Sequence, residues 1–193
     1  MHSIHPRLCY TDITEAASDA CDTVRTLRNL PEVREHMYTD HEISPAEHAA
    51  WLARLPGDNR NKVFVIGFDG ETAGIVQFNA MNRRHGTTEW GFYLGSDLKG
   101  SGIGSVIEFD ALQYAFETEG FLKVNCEVLA TNQAVIKLHL KFGFVQEGLF
   151  RRNVEKNGER VDVYRFGLFR EEWLEARERV KKVLSRITGG PSA

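Results

Sequence analysis

Three glycines alternate with other residues just before a segment of helical periodicity. Because glycine has no Cβ atom, Gly100, Gly102 and Gly104 let the backbone approach a ligand closely. The first N–H groups of a helix have no partner inside the helix, and the positive end of the helix dipole lies beside them. Phosphate oxygens bind at such places. The spacing therefore predicts a phosphate-binding loop, with a tight strand-to-helix turn as the alternative interpretation.

Neighbouring side chains add donors, charge and an apolar anchor to this loop. Ser101 and Ser105 carry hydroxyl groups, Lys99 carries a positive charge, and Ile103 begins the apolar face of the following helix. The dinucleotide fingerprint requires a third glycine where Ser105 or Ile107 stands, and the nucleoside triphosphate loop requires a Gly-Lys-Ser/Thr ending. Neither pattern is present, so a different phosphate ligand is expected.

A second motif, NQAVIKLHLKFGF at residues 132–144, follows further along the chain. It contains an Asn, a short helical run and a closing Gly-Phe. Together with the glycine loop it resembles the two signatures of the GCN5-related N-acetyltransferases (GNAT), which are Q/R-x-x-G-x-G/A and an Asn followed by Ala-Ile-x-Leu-Tyr and Gly-Phe. Lys99 replaces the usual Gln or Arg, and His139 replaces the usual Tyr. Because order and spacing agree with the family, the chain is identified as a member.

The resemblance implies an α/β fold, in which one mixed central sheet is flanked by helices and splays open to take the pantetheine arm of acetyl-CoA. It implies acetyl-CoA as the co-substrate, held by the glycine-loop amides. Phe92 and Leu94 lie on the strand beside the thioester, and a backbone N–H near Leu94 holds the oxyanion. Asn132 hydrogen-bonds CoA or the loop. Lys137 contacts the CoA phosphates, with a solvated helix face as the alternative.

Acetyl transfer to an amine requires a base for the amine and an acid for the departing thiolate. His139 stands where the family's Tyr protonates the thiolate, and its reference pKa of about 6.5 permits proton donation near neutral pH. A histidine that only contacts the cofactor or faces solvent is the alternative. Glu127 stands where related amino-terminal acetyltransferases carry the base, on the opposite strand face from Cys126. Glu89, on the adjoining strand, is the rival, and structural pairing with a lysine remains open for both.

Length and composition limit the function classes. The chain has 193 residues, a formal net charge of −3 and 26% charged residues, as expected for one globular domain without a basic surface for nucleic acid. Cys9, Cys21 and Cys126 are far apart and predict reduced thiols in a cytoplasmic protein. No apolar run has the roughly 18 residues of a membrane span. The histidines lack metal-ligand spacing, so no metal is expected.

Periodicity supplies the elements that position these residues. It predicts a strand at residues 7–12, a helix capped by Thr14 and stopped by Pro31, and a helix starting at Ser44. Dipeptides of the type I′ turn, at residues 69–70 and 157–158, predict two hairpins. Strands and helices alternate around the two motifs and indicate a mixed α/β layer structure. Residues 1–170 form the predicted acetyltransferase domain, and residues 171–193 a C-terminal helix and frayed tail.

The connection at residues 34–43 is rich in His, Tyr, Met and acidic residues. Between two helices that cover a sheet, such a segment commonly lies across the ligand cleft. Met37, Tyr38 and His41 are therefore the predicted substrate contacts. An ordinary polar loop, with Met37 and Tyr38 packed into the core, is the alternative.

The wider sequence resembles one branch of the family, the sugar-nucleotide 4-amino N-acetyltransferases of pseudaminic acid synthesis. The residues that carry this likeness are the stretch 89–153, MYTDHEIS near the start, and NGERVDVYRFGLFREEW near the end. The resemblance implies a UDP-amino-sugar acceptor for flagellin glycosylation. A ribosomal-protein or polyamine N-acetyltransferase and a non-catalytic acetyl-CoA sensor are the alternatives. Exposed strand edges and the terminal helix allow a homodimer.

Overall fold

The structure is a computed structural model that describes residues 1–98, 100–185 and 187, except for the side chain of Ser96. Its strands are β1 (Leu8–Asp12), β2 (Lys62–Phe68), β3 (Glu71–Asn82), β4 (Thr87–Leu94), β5 (Lys123–Leu129), β6 (Val145–Lys156) and β7 (Glu159–Phe169). Its α-helices are α1 (Ser18–Arg28), α2 (Pro31–Arg34), α3 (Pro45–Leu52), α4 (Ile103–Gln113), α5 (Gln133–Phe142) and α6 (Arg170–Leu184). A 3₁₀ turn, Ser96–Leu98, follows β4, and a π-helical turn, Tyr114–Thr118, extends α4.

The described strands form one seven-stranded sheet in the order β1-β2-β3-β4-β5-β7-β6. Neighbouring strands are antiparallel except for β4 and β5, which are parallel. The parallel pairing extends only from Thr87 opposite Lys123 to Glu89 opposite Asn125, although both strands continue. The two strands therefore diverge beyond Glu89. This opening is the splay that family membership implies.

Two predicted hairpins are confirmed. Asp69 and Gly70 have φ angles of 53° and 88°, and Asn157 and Gly158 have φ angles of 51° and 81°. A type I′ turn requires positive φ at both central positions. The hairpins join β2 to β3 and β6 to β7.

Helix boundaries show where local patterns succeed and fail. At α3 the Ser44 hydroxyl accepts from the Glu47 N–H at 3.2 Å, and the Glu47 carboxylate accepts from the Ser44 N–H at 2.8 Å, as predicted. The predicted cap at Thr14 is wrong. Its N–H and hydroxyl bond Asp12 at 3.0 and 2.7 Å in a turn, and α1 begins only at Ser18. Helix α1 ends at Arg28, before Pro31 as predicted, and Pro31 is the first residue of a new helix, α2.

Each sheet face is covered by its own set of helices. On one face Val24 of α1 lies in a buried cluster with Val63, Val65 and Ile75 of the sheet. The larger cluster, on the other face, joins the sheet to α4, α5 and α6. Trp173 of α6 is fully buried there. The predicted C-terminal helix thus packs into the main core.

The Trp173 ring lies edge-on to Phe109 of α4 and stacks on Phe142 of α5, at centroid distances of 5.3 and 6.3 Å.

Among the residues described, no helix is both long enough and apolar enough to cross a bilayer. Strand β6 is an outer strand of the sheet, and the homodimer stays a prediction.

Candidate active site

The glycine loop connects β4 to α4 with the backbone conformation expected of a ligand-binding turn. Gly100 and Gly102 have φ angles of 78° and 86°, and Gly102 is the N-cap of α4. A Cβ atom on Gly100 would meet nothing within 4 Å, so the backbone there is open to a ligand. The first turn of α4 faces the same loop, so N–H groups and the helix dipole are available to an anion. Lys99 lies outside the described residues.

Ser101 organises the loop from within. Its hydroxyl donates to the Leu98 carbonyl at 2.7 Å and accepts from the Ile103 N–H at 3.2 Å. Ser105 donates its backbone N–H to the Gly102 carbonyl at 3.0 Å, as the first helical turn requires. Both predicted serines therefore belong to the loop, and the hydroxyl of Ser101 already has two partners within it.

Gly102 is expected to tolerate a side chain less well than Gly100. Left-handed backbone costs a non-glycine residue about 1–2 kcal/mol at either position. A Cβ atom on Gly102 would also lie 2.8 Å from the Ile187 Cδ1 atom, whereas the space at Gly100 is empty. Gly102→Ala should therefore lower the unfolding free energy more than Gly100→Ala, whereas Gly100→Ala should lower the affinity for CoA at least as much, because its Cβ atom would occupy the space open to the ligand. Thermal unfolding and calorimetric titration with CoA measure the two effects. Equal losses of unfolding free energy in the two variants would contradict the close approach of Ile187 to Gly102.

The diverging part of β4 contributes the aromatic wall of the loop. Trp90 is buried, and its ring stacks on Phe92 at 5.7 Å between centroids. A Cβ atom on Gly104 would lie 3.6 Å from the Phe92 ring, so strand and loop are in contact. Leu94 pairs with Gly74 of β3 at the end of the strand. Phe92 and Leu94 thus lie beside the glycine loop, on the part of β4 that has left β5.

His139 lies below this opening, enclosed in the core. It is 3% exposed, and its Nδ1 atom is 2.9 Å from the Glu108 carboxylate, which is fully buried. The rings of Trp90 and Phe144 pack on the imidazole at 5.5 and 5.0 Å. Burial on its own would lower the pKa of His139, but the Glu108 carboxylate and the Cys126 thiol outweigh it and raise the pKa to about 10.

The surroundings of His139 differ from those of a histidine that faces solvent or the cofactor, which is the alternative that the sequence allows. The imidazole holds its proton at neutral pH, as a donor should, yet its ring is almost wholly enclosed by Glu108 and aromatic side chains. A general acid must come within hydrogen-bond reach of the group that it protonates. The role of His139 as proton donor to the thiolate stays a prediction, and the contacts favour a structural ion pair.

The two candidate bases meet on the opposite face of the sheet. Glu127 of β5 lies directly across from Arg165 of β7, and Glu89 pairs with the residue two positions before Glu127. The Arg165 Nη1 atom donates to the Glu89 Oε1 atom at 2.8 Å and to the Glu127 Oε1 atom at 3.0 Å. The carboxylate side chains are 42% and 26% exposed. Both therefore remain accessible while one guanidinium links them, and the alternative of a lysine partner does not apply.

The predicted substrate segment reaches this carboxylate pair. The Tyr38 hydroxyl donates to the Glu127 Oε2 atom, although half of the Tyr38 side chain stays exposed. Burial and the hydrogen bond to Glu127 raise the pKa of Tyr38. Met37 is half-buried, and His41 is exposed with its Nε2 atom 2.9 Å from Glu47. Of the three predicted contacts, the structure brings Tyr38 to the candidate base and pairs His41 with a residue of α3.

Asn132 and Lys137 have different places on α5, one at its N-terminus and the other on its exposed surface. The Asn132 side-chain oxygen accepts from the Val135 N–H at 3.3 Å and so caps the helix. Lys137 is exposed on the helix surface. The local sequence explains both, since Asn favours helix N-caps and a lysine one turn later faces solvent.

A cavity of about 800 Å³ lies beside the segment that carries Tyr38. It is lined by Pro31, Arg34, Glu35, His36, Asp40, Thr131, Lys156 and Asn157. Lys156 is 8% exposed and its Nζ atom lies 3.6 Å from the Asp40 carboxylate and 3.4 Å from the Arg34 carbonyl. The lining therefore combines a buried lysine and a partly exposed arginine with two carboxylates and with amide and hydroxyl donors.

A separate cavity of about 560 Å³ lies among residues that include Asp12, Asp58, Lys62 and Glu119. None of the predicted site residues lines either cavity. Across the described ranges, no three His, Cys, Asp or Glu side chains cluster in a way that could hold a metal ion.

Sequence reasoning missed Arg165 and Glu108. Arg165 is an isolated charge inside the apolar strand run YRFGLF, and such a charge needs a partner in the fold. Glu108 stands next to Ile107 and Phe109 and looks like the solvated side of an amphipathic helix. Helix α4 is instead buried on all sides, with Glu108 at 0% and Asp110 at 1% exposure, so periodicity gave no signal.

Residues 7–145 match the family model of the acetyltransferase (GNAT) domain. The chain belongs to the GNAT family and is an acetyl-CoA-dependent N-acetyltransferase, which confirms the predicted membership, fold and enzyme class.

Several known acetyltransferases are similar to this chain in sequence or in fold. Acetyltransferase PseH from Campylobacter jejuni subsp. jejuni serotype O:23/36 (strain 81-176) is 30% identical over 131 residues, covering 66% of this chain and 78% of the relative. Spermidine N(1)-acetyltransferase from Escherichia coli (strain K12) is 26% identical over 117 residues, covering 61% of this chain and 63% of the relative. The solved spermidine N-acetyltransferase from Vibrio cholerae, in complex with CoA and spermine, superposes with a TM-score of 0.80. It is 21% identical, over 87% of this chain and 98% of that chain, and therefore supports the fold alone.

Proposed function

We propose that the enzyme transfers the acetyl group of acetyl-CoA to the 4-amino group of a UDP-linked amino-dideoxy sugar, by direct attack in a ternary complex. The likeness to PseH carries this proposal, because it agrees with the branch indicated by the stretch 89–153 and by the segments MYTDHEIS and NGERVDVYRFGLFREEW. When bound, acetyl-CoA supplies an activated acyl group as a thioester. The glycine loop, with Gly100, Gly102 and the first turn of α4, is the proposed diphosphate site.

On the acceptor side, the proposed base is Glu127, which takes the proton of the amine directly or through one water molecule. Both of its oxygens already accept hydrogen bonds, from Arg165 and Tyr38, but a carboxylate offers about four lone-pair sites. Glu89, held by the same guanidinium, gives the site a second negative charge that attracts a protonated amine before its proton is removed.

A polyamine is the second candidate acceptor, because the Escherichia coli relative is a spermidine acetyltransferase and the carboxylate pair suits any cation. The cavity beside Tyr38 argues against it. The lining contains Arg34 and Lys156 as well as Glu35 and Asp40, and Lys156 is paired with Asp40, so it has no excess negative charge for further ammonium groups. Cationic and amide donors suit the diphosphate of a nucleotide sugar better.

The variant Lys156→Gln distinguishes a UDP-amino-sugar acceptor from a polyamine acceptor. If the cavity holds the nucleotide part of the acceptor, the variant should raise KM for a UDP-amino-sugar about tenfold, or about 1.4 kcal/mol. KM for spermidine should stay unchanged or fall, because a repelling charge is gone. Lys182→Gln, on the exposed surface of α6, is the matched control. An equal rise of KM for both acceptors would show that the substitution acts through the fold.

The acceptor class itself is tested by incubating the wild-type enzyme with acetyl-CoA and a panel of UDP-amino-sugars, amino-terminal peptides and spermidine. Release of free thiol reports turnover. Turnover with the sugar supports the proposal, and turnover with spermidine or peptide alone refutes it. Tight binding of CoA without turnover on any amine would instead support the non-catalytic sensor.

A further inference from the structure

Arg165 contacts both candidate bases through a single atom, which sets it apart from an ordinary surface ion pair. Its Nη1 atom reaches Glu89 at 2.8 Å and Glu127 at 3.0 Å. Because both carboxylate oxygens contact one nitrogen, they lie within about 6 Å of each other, a range in which like charges affect each other's protonation. Without a cation between them, the two carboxylates would repel.

The position of the pair in the sheet makes this link necessary. Glu89 is the last residue of β4 that pairs with β5, and Glu127 is on β5 beyond the point where the two strands separate. Backbone hydrogen bonds between β4 and β5 therefore do not fix the distance between the two side chains. Arg165 is fixed on β7, directly opposite Glu127, and its guanidinium reaches over β5 to Glu89.

We propose that Arg165 is a positioning residue of the acceptor site, which holds Glu89 and Glu127 side by side across the splay and balances one of their two negative charges. This inference rests on the proposed function only in taking the carboxylate pair as the place where the amine arrives. With Arg165 between the carboxylates, the cluster has one net negative charge. That charge matches a single ammonium group, and Glu127 is held where it can take the proton of the amine.

The charged and titratable groups around this cluster are few. Among described residues, Glu89 faces Arg165 from β4 and Glu127 faces it from β5, and Tyr38 reaches Glu127 from the segment after α2. Burial would lower the pKa of Arg165, but hydrogen bonds and charge from the two carboxylates raise it above its usual value. The guanidinium therefore stays charged throughout the pH range of the enzyme.

Arg165→Gln removes the charge and leaves a shorter polar side chain. One carboxylate should then bind a proton at a pH about one unit higher than in the wild type. The acidic limb of the pH profile of kcat/KM should move upward by the same amount, and kcat should fall about tenfold because the pair is no longer held. Arg165→Lys, which restores a charge, should recover most of the pH shift but less of kcat, because an ammonium on a flexible stem is positioned less firmly than a planar guanidinium.

Two controls separate positioning from folding. Arg160→Gln changes another arginine of β7, which is 58% exposed and pairs with Glu155, and should leave the profile unchanged. In the double variant Glu89→Gln/Arg165→Gln a single carboxylate remains, so the acidic limb should return towards the wild-type position even if activity stays low. A variant that merely folds poorly would lose activity equally at every pH.

A readout without turnover keeps this inference separate from the proposed function. Carbon-13 NMR of the glutamate carboxyl groups follows their protonation directly in the wild type and in each variant. If the wild type acetylates no amine of the panel, the proposed function fails, and the NMR titration still decides the role of Arg165. An Arg165→Gln titration that coincides with the wild type, in folded protein, would overturn the inference.

Discussion

Replacing Glu127 by Gln is expected to lower kcat for acetyl transfer about 10²–10⁴-fold, the range typical of a lost general base. The substitution preserves the shape of the side chain but replaces one of its two acceptor oxygens by an NH2 group. It therefore removes the negative charge, the basic lone pairs and one of the two acceptor positions used by Arg165 and Tyr38. Binding of CoA should be unchanged, because Glu127 lies on the opposite face of the sheet from the loop-side wall at Phe92. Steady-state kinetics with saturating acceptor, alongside calorimetry with CoA, measures both quantities.

Glu89→Gln is the informative comparison, since Glu89 shares the same guanidinium and is more exposed than Glu127, at 42% against 26%. If Glu89 only attracts the amine, its loss should raise KM and leave kcat within a few-fold of the wild type. Glu155→Gln, on the exposed surface of β6, controls for a change of net charge. A larger loss of kcat in Glu89→Gln than in Glu127→Gln would reverse the assignment of the base.

The sequence predicted those parts of the site that depend on local conformation. Alternating glycines predicted the loop between strand and helix, in which Gly100 and Gly102 have positive φ angles, and strand alternation placed Glu127 on the opposite face from Cys126. Ser44 with Glu47, and the two I′ turns, are likewise local features whose geometry is set by residues a few positions apart. The family resemblance added the splay, which no short-range pattern encodes.

The parts that local patterns do not predict are contacts between elements distant in the chain. Arg165 meets Glu89 across 76 positions of sequence, and His139 meets Glu108 across 31. Thr14 illustrates the opposite error, because a nearby carboxylate at Asp12 competes for the groups that a helix cap would use. The buried acids of α4 look like solvated positions until the helix is seen to be covered on every side.

Glu108 and His139 are expected to give the second large effect, on stability rather than on chemistry. Glu108 is fully buried and His139 is 3% exposed, so removing either partner leaves an uncompensated charge or an unpaired polar group in the core. Glu108→Leu and His139→Leu should each lower the unfolding free energy by about 3–5 kcal/mol. Urea denaturation followed by fluorescence measures the loss.

The double variant Glu108→Leu/His139→Leu tests whether the loss comes from the broken pair. An apolar pair of similar volume is often neutral or stabilising, so the double variant should recover most of the stability of the wild type. If the two single losses simply added, the ion pair would not be their cause. Activity of the folded double variant also answers the question raised by position 139, because undiminished kcat would remove His139 from proton transfer to the thiolate.

The Glu108–His139 pair also makes the stability of the fold depend on pH. The folded-state pKa of His139, about 10, lies above its ordinary value of 6.5, so folding favours the protonated imidazole. Its contribution to stability is therefore fully present below pH 6.5 and is lost as the pH rises towards about 10. Burial also raises the pKa of Glu108, which acts in the same direction. Wild-type stability should thus decline between these limits while the double variant shows a flatter profile, and identical slopes in both proteins would contradict the pair as the source.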